Sequence, residues 1–228
     1  MKYSGWELHN FDKANLFRIY QFHLIKNEIR GNILEVGPGN CIYLKAYSNL
    51  GKNITLIEPT KKYFDNLSKQ NKKNKNINIK RNMNNLKANS FDTILYLDVL
   101  EHINDDLAEL KKAYKLLKKG GTLVICVPAF QFLYTLYDKK IGHYRRYDKK
   151  SFKSLIKKCK INNFKMRYFD FIGFSLIFAS KIFFKDSTKN FPLKIKIWNL
   201  LIPFSFCLDF IIMKFFLGKS LLVKIKKN

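Results

Sequence analysis

Residues 31–44, GNILEVGPGNCIYL, place an acid inside a strand that runs into a glycine turn. Ile33, Leu34 and Val36 have the apolar character of a buried strand, Gly37 and Gly39 make the turn, and Glu35 stands two residues before the first glycine. Such a turn brings backbone N–H groups against a nucleotide-like ligand. The dinucleotide spacing GxGxxG fails, because its last position is Ile42. A carboxylate would also repel a pyrophosphate. Glu35 therefore suits a ligand that is positive at this point; the plain alternative is an acid that caps the following helix.

A nucleoside with that charge is S-adenosylmethionine, which carries an ammonium and a sulfonium. Glu58 closes the next apolar run, NITLIE, where an acid can accept both ribose hydroxyls. The alternative for Glu58 is a solvent-facing acid at a strand end.

Methyl transfer from a sulfonium is an in-line displacement that depends on positioning. A hydroxyl acceptor also needs a base. The candidates are His102 in EHINDD and His143 in GHYRRY. His102 has a structural alternative, a ring bonded to backbone. Tyr144, Arg145, Arg146 and Tyr147 form a donor-rich loop suited to gripping an anionic substrate group. Against this, either arginine can pair with a domain acid such as Asp98, Glu101 or Asp138. Glu101, Asp105 and Asp106 read as acids at a helix start, with capping preferred for Asp105 and Asp106. No metal-ligand spacing stands out, and no metal is expected.

The elements that position these groups alternate. A helix is expected over 14–29, where Leu16, Ile19, Tyr20 and Leu24 recur at helical spacing. Strand runs NILEV, NITLIE, NINIKR, FDTILYLD and GGTLVICVP follow. Helices are expected from about Cys41, Lys61, Asp105 (to about Leu117) and Asp148. This order implies an α/β doubly wound, mostly parallel sheet with helices on both faces. Ligands then bind at the strand carboxyl ends: 35–41, 58–60, 81–84, 98–102 and 128 onward. FKMRYFDFIGF (164–174) reads as a strand and SLLVKIKKN as the last, antiparallel one. Between them, 174–217 reads as a hydrophobic insertion of one or two helices. Its charge-free runs, 171–180 and 197–208, are too short to span a bilayer, which takes roughly 20 residues. Lys181, Lys185, Lys189, Lys194 and Lys196 punctuate the region, as in helices lying on anionic lipid. An ordinary lid or a dimer contact is the competing reading.

The chain has 228 residues, 47% of them hydrophobic, which fits one domain with a full core. It divides into a helical segment (1–30), a cofactor core (31–173), the insertion (174–217) and the last strand (218–228). Lys and Arg number 43 against 17 acids, a formal charge of +26. That balance favours anionic partners, although the lysines are spread through Asn-rich and Ile-rich stretches, as biased composition also produces. Cys41, Cys126, Cys159 and Cys207 show no pairing pattern, each lies in an apolar run, and each reads as a buried free thiol. With no apolar leader in the first residues, the expectation is a cytoplasmic protein, peripheral on the inner membrane face if the insertion binds lipid.

ILEVGPGN, LIEPT, FDTILYLDVLEHINDD, LLKKGGTLVICVPA and DKKIGHYRRYDKKSF together resemble class I S-adenosylmethionine-dependent methyltransferases. They are most similar to bacterial ones associated with polysaccharide and lipid-linked glycan pathways. The likeness covers residues 14–165 and the closing strand. It implies a seven-stranded sheet and S-adenosylmethionine as cofactor. It places Glu35, Gly37 and Gly39 on the methionine and ribose part, Glu58 on the ribose hydroxyls, Asn82 and Met83 beside adenine, and Asp98, Val99 and Leu100 along the cofactor. Many relatives have glycine where Cys41 stands and Asp where Asn82 stands. The expected consequences are a tighter turn and a weaker adenine acceptor. The resemblance implies a small-molecule, glycan or lipid-linked acceptor. A nucleic-acid acceptor is disfavoured: the stretch after the fourth strand reads DVLE rather than NPPY, and no RNA-binding module appears. A non-catalytic, membrane-associated partner built on a degenerate methyltransferase fold is the third reading.

Overall fold

The computed structural model describes residues 11, 13–183, 191–211 and 215–228. Lys185 and Lys189 of the expected basic face lie outside the described residues, as do residues 1–10 of the N-terminal segment.

Period-two burial explains why both faces of the sheet are covered. In β1 (Gly31–Val36), Leu34 and Val36 face one core layer, while Ile33 faces the other. Beside it run β2 (Gly51–Ile57), β3 (Ile77–Lys80), β4 (Phe91–Leu97) and β5 (Leu117–Pro128). The strand order is β3-β2-β1-β4-β5, then β7 (Ser220–Lys226) and β6 (Phe164–Phe169). β7 pairs antiparallel with both neighbours and the remaining pairings are parallel. The sheet is the expected one. Glu35 lies level with Leu56 and Leu95, so its carboxyl group starts from the centre of the sheet.

Helix α1 (Asn15–Ile25) packs on the Ile33 face through Phe17, Tyr20 and Ile25. The helix expected from Cys41 shrinks to one turn, α2 (Leu44–Tyr47), because the chain first makes a tight turn with Cys41 at φ 55. Helix α3 (Lys61–Gln70) follows β2, and α4 (Asp106–Leu116) follows β4 with Asp105 as its cap, accepting the Ala108 N–H at 2.9 Å. After β5 come a short α5 (Leu136–Ile141) and α6 (Lys149–Lys158), capped by Asp148.

The strand read over 164–174 ends at Phe169. Asp170 takes a left-handed φ of 66, and α7 (Phe171–Phe183) begins at once. The insertion therefore starts earlier than expected. Among the described residues it holds three helices, α7, α8 (Phe191–Leu200) and α9 (Ile202–Ile211), where one or two were expected. No single described helix is long and apolar enough to cross a membrane; α8 and α9 together approach that length but bend by 52°. Cys207 is exposed rather than buried, because it lies on the side of α9 that no described residue covers.

Candidate active site

The carboxyl ends of β1, β2 and β4 open into a cavity of about 990 Å³, walled on its far side by α7 and α8. Glu35, Gly37, Gly39, Glu58, Asn82, Met83, Asp98 and Val99 line it, whereas Leu100, also expected along the cofactor, is buried in the core instead.

The glycine turn is built for close approach. Gly37 has φ 67, and a Cβ there would fall 2.8 Å from a Val99 methyl. Its N–H donates to the Ile57 carbonyl at 2.8 Å, fixing the turn against β2. Glu58 accepts the N–H groups of Gly39 at 3.0 Å and Thr60 at 2.8 Å, one on each oxygen. Its carboxyl is thus held at the turn, with the Thr60 side chain bonded to it as well. Burial raises the Glu58 pKa and these N–H bonds partly offset it.

Glu35 is 3% exposed. Burial pushes its pKa up to about 7, against the lowering effects of a hydrogen bond from Tyr47 and the charge of Arg18. A buried acid in this state is suited to a cationic ligand, which restores its charge. Asn82 turns its carboxamide onto the Asn84 N–H at 2.9 Å, leaving its backbone and the buried Met83 at the wall. Asp98, at φ 58, accepts from Gln21 at 3.2 Å.

Gln21 and Arg18 were not singled out by the sequence. Gln21 is fully buried, bonded to Tyr43 and Asp98; Arg18 reaches the cavity and lies 5.4 Å over the Tyr43 ring. The signal was available: a polar pair three residues apart on the same face as Phe17 and Tyr20. In the cavity, Arg18 is suited to the carboxylate of the cofactor's methionine end.

Both guanidinium groups of the GHYRRY loop are paired with acids of the domain. Arg146 grips Asp138 with two bonds of 2.9 Å, and Arg145 pairs with Asp106 at 2.6 Å. Tyr147 is buried and donates to Asp106 at 2.8 Å, while Tyr144 points outward, 49% exposed. Of these four only Arg146 touches the cavity wall. The loop is a clamp that closes the fold over the cavity. Burial raises the Asp138 pKa, but His143 and Arg146 outweigh it and hold the carboxyl well below its usual range.

What the clamp delivers is His143. Its Nδ1 meets Asp138 at 2.7 Å and its Nε2 lies 3.8 Å from Glu101. The His102 ring stands edge-on to it at 4.5 Å. Burial, and then His143, push the His102 pKa down to about 3, so its ring is neutral. Glu101 does not cap a helix. It sits in the turn after β4, 1% exposed, and burial raises its pKa well above the ordinary range. Both histidines line the cavity, away from the glycine turn in sequence but across from it in space.

A doubly wound sheet with an antiparallel last strand, and a cavity at the carboxyl ends of its central strands, defines an α/β protein of the ligand-binding, doubly wound type. Residues 34–125 match the family described as a methyltransferase domain. A ubiquinone biosynthesis O-methyltransferase of Pelagibacter ubique (strain HTCC1062) is 30% identical over 129 residues, 52% of this chain and 54% of that protein. The chain thus spans about half the length of the curated relative it matches. A SAM-dependent methyltransferase from Archaeoglobus fulgidus superposes with TM-score 0.62 at 14% identity, over 97% of this chain and 98% of that one. Phosphoethanolamine N-methyltransferase 2 of Haemonchus contortus, in complex with S-adenosyl-L-methionine, gives TM-score 0.64 at 13% identity, over 97% of this chain and 57% of that one. Residues 34–125 thus match a methyltransferase domain, and the whole chain has the fold of these S-adenosylmethionine-dependent methyltransferases.

Proposed function

We propose that this protein moves the methyl group of S-adenosylmethionine to a hydroxyl of an apolar or lipid-linked acceptor, glycan-bearing acceptors included, while docked on a membrane surface. The observation that carries this reading is the composition of the far wall. The cavity is at the upper end of the roughly 300–1,000 Å³ of small-molecule sites, leaving room for an acceptor beside the cofactor. Its far wall comprises Leu176, Ile177 and Ala179 of α7 and Ile195, Ile197 and Trp198 of α8. The same helices turn Phe183, Leu193 and Leu200 outward, more than half exposed. An apolar acceptor therefore has a continuous apolar path from surface to site. The named activity of the Pelagibacter relative, an O-methyl transfer in ubiquinone biosynthesis, is of the same chemical kind.

When bound, the cofactor supplies an electrophilic methyl carbon: the acceptor oxygen bonds to it as the carbon–sulfur bond breaks, and the hydroxyl proton leaves. The residues of this chain hold the two partners. Glu35 and Glu58 fix the nucleoside, the Gly37 turn lets it approach, and His143, oriented by Asp138, receives the proton at Nε2. Lys181 is committed to the carbonyl of Tyr134 at 3.1 Å and to that of Phe132, and Lys194 lines the cavity, so among the described lysines of the expected basic face Lys196 is the one proposed to meet lipid headgroups.

The test is incubation of the purified protein with methyl-labelled S-adenosylmethionine and a total membrane lipid extract. Label in the organic phase supports the proposal; label confined to water-soluble products overturns the lipid-linked acceptor. No calorimetric binding of S-adenosylmethionine overturns catalysis and favours a non-catalytic partner.

A further inference from the structure

Glu101 is 1% exposed, and neither of its carboxylate oxygens has a hydrogen-bond partner among the described residues. A buried acid left so costs roughly 1–3 kcal/mol or more, and an ion is one of the ordinary reasons for such a group. Around it stand two imidazoles. One ligand atom each from Glu101, His102 and His143 lies within 4.8 Å of the others. Tetrahedral bonds of about 2.1 Å to one ion put ligand atoms about 3.4 Å apart, so a closure of up to about 1.4 Å, shared between two side chains, completes the set.

His143 is already oriented for this role. Its Nδ1 is held on Asp138 at 2.7 Å, and Asp138 is fixed by Arg146 at 2.9 Å and by the Thr135 N–H at 2.9 Å. The Nε2 is thereby turned toward Glu101. A carboxylate that fixes the far nitrogen of a ligating histidine is the usual outer support of a metal site.

We infer that Glu101, His102 and His143 form a binding site for one divalent transition-metal cation at the acceptor end of the cavity. Two imidazoles and one carboxylate select zinc-, cobalt- or manganese-class ions over magnesium or calcium, which take all-oxygen shells. Three protein ligands leave a position open to the cavity, where water or an acceptor oxygen binds. With an ion bound, His143 Nε2 is a ligand and no longer the proton acceptor of the metal-free site; an acceptor hydroxyl on the ion gives up its proton to solvent more readily and presents its oxygen as the nucleophile. This last role rests on the proposed O-methyl transfer; the metal site itself does not.

The test uses the untagged, metal-stripped full chain, titrated with Co²⁺ and separately with Zn²⁺. Expected are one ion per chain at micromolar or tighter affinity and visible Co²⁺ d–d bands with the intensity of a four- or five-coordinate site. Glu101→Gln and His102→Gln each weaken binding at least a hundredfold, while S-adenosylmethionine binding, measured by calorimetry on the same variants, stays within threefold. Failure to bind either ion, or equal affinity in the folded variants, overturns the site. A protein that binds metal but gives no heat with S-adenosylmethionine instead keeps the site and overturns the proposed activity. His143→Gln serves as a third variant if either of the others fails to fold.

Discussion

Trp198 donates its indole N–H to Asp170 at 2.8 Å, and through that bond α8 is tied to the end of β6. The same carboxylate accepts from Ser205 of α9 at 3.0 Å and from the Gly173 N–H of α7 at 2.9 Å, with Lys219 at 3.8 Å. One fully buried acid thus joins all three insertion helices, with Asp209 taking the Tyr20 hydroxyl at 2.6 Å beside it. Asp170→Ala leaves Lys219 and three donors without their acceptor, and should cost about 3–5 kcal/mol. Urea unfolding should show a lower midpoint; an unchanged midpoint would mean the insertion is held by its apolar contacts alone.

Glu35 ties cofactor affinity to pH. Its pKa of about 7 belongs to the ligand-free protein. A cationic ligand favours the ionised form, so binding lowers that pKa and releases a proton between the two values. Affinity should fall as pH drops below 7, by up to tenfold per unit, and level off above it. For stability the sign runs the other way: a carboxyl whose folded pKa lies above its unfolded one favours folding less as pH rises from about 4.5 to 7. Calorimetry at pH 5.5–7 in buffers of different ionisation enthalpy reads the released proton. Glu35→Gln should flatten the profile, and an equally steep profile in that variant would assign the proton elsewhere.

Gly37 has both a left-handed backbone and no room for a methyl group, since its Cβ would meet Val99 at 2.8 Å. Gly37→Ala should destabilise the fold by roughly 2–4 kcal/mol, from the backbone and the overlap together. It should also weaken S-adenosylmethionine more than tenfold in calorimetry. Pairing it with Val99→Ala should recover part of the stability, because only the overlap is relieved.

The sheet was legible because each buried strand reads as a continuous apolar run closed by a functional residue: Ile33 to Glu35, Ile54 to Glu58, Ile94 to Asp98. Residues that line the cavity fell at those ends and were found by the same logic. Cys41 shows what local reading missed. Its φ of 55 is glycine-like, so the turn there displaces the start of a helix that the apolar pattern places at that point. For the loop arginines the sequence left substrate contact and domain pairing both open and named Asp138 among the partner acids; Asp106, the partner of Arg145, emerges only from the fold. The approach of His143 to Glu101 and His102 likewise exists only once β4 and the clamp loop are brought together.

The outward face of α8 and α9 carries the last prediction. Leu200 is 69% exposed and Phe204 64%, with Phe210 and Ile211 further along the same apolar surface. Apolar side chains left in water gain about 25 cal/mol per Å² on entering a lipid interface, and the exposed Lys196 stands in the first of these helices to meet anionic headgroups. The protein should co-sediment with vesicles containing phosphatidylglycerol, less strongly at high salt. Leu200→Asp with Phe204→Asp should cut that partition at least tenfold, because both replacements put charge where acyl chains would lie. Neither side chain lines the cofactor cavity, so S-adenosylmethionine affinity should be unchanged in the double variant. Undiminished vesicle binding would move the docking face off these helices.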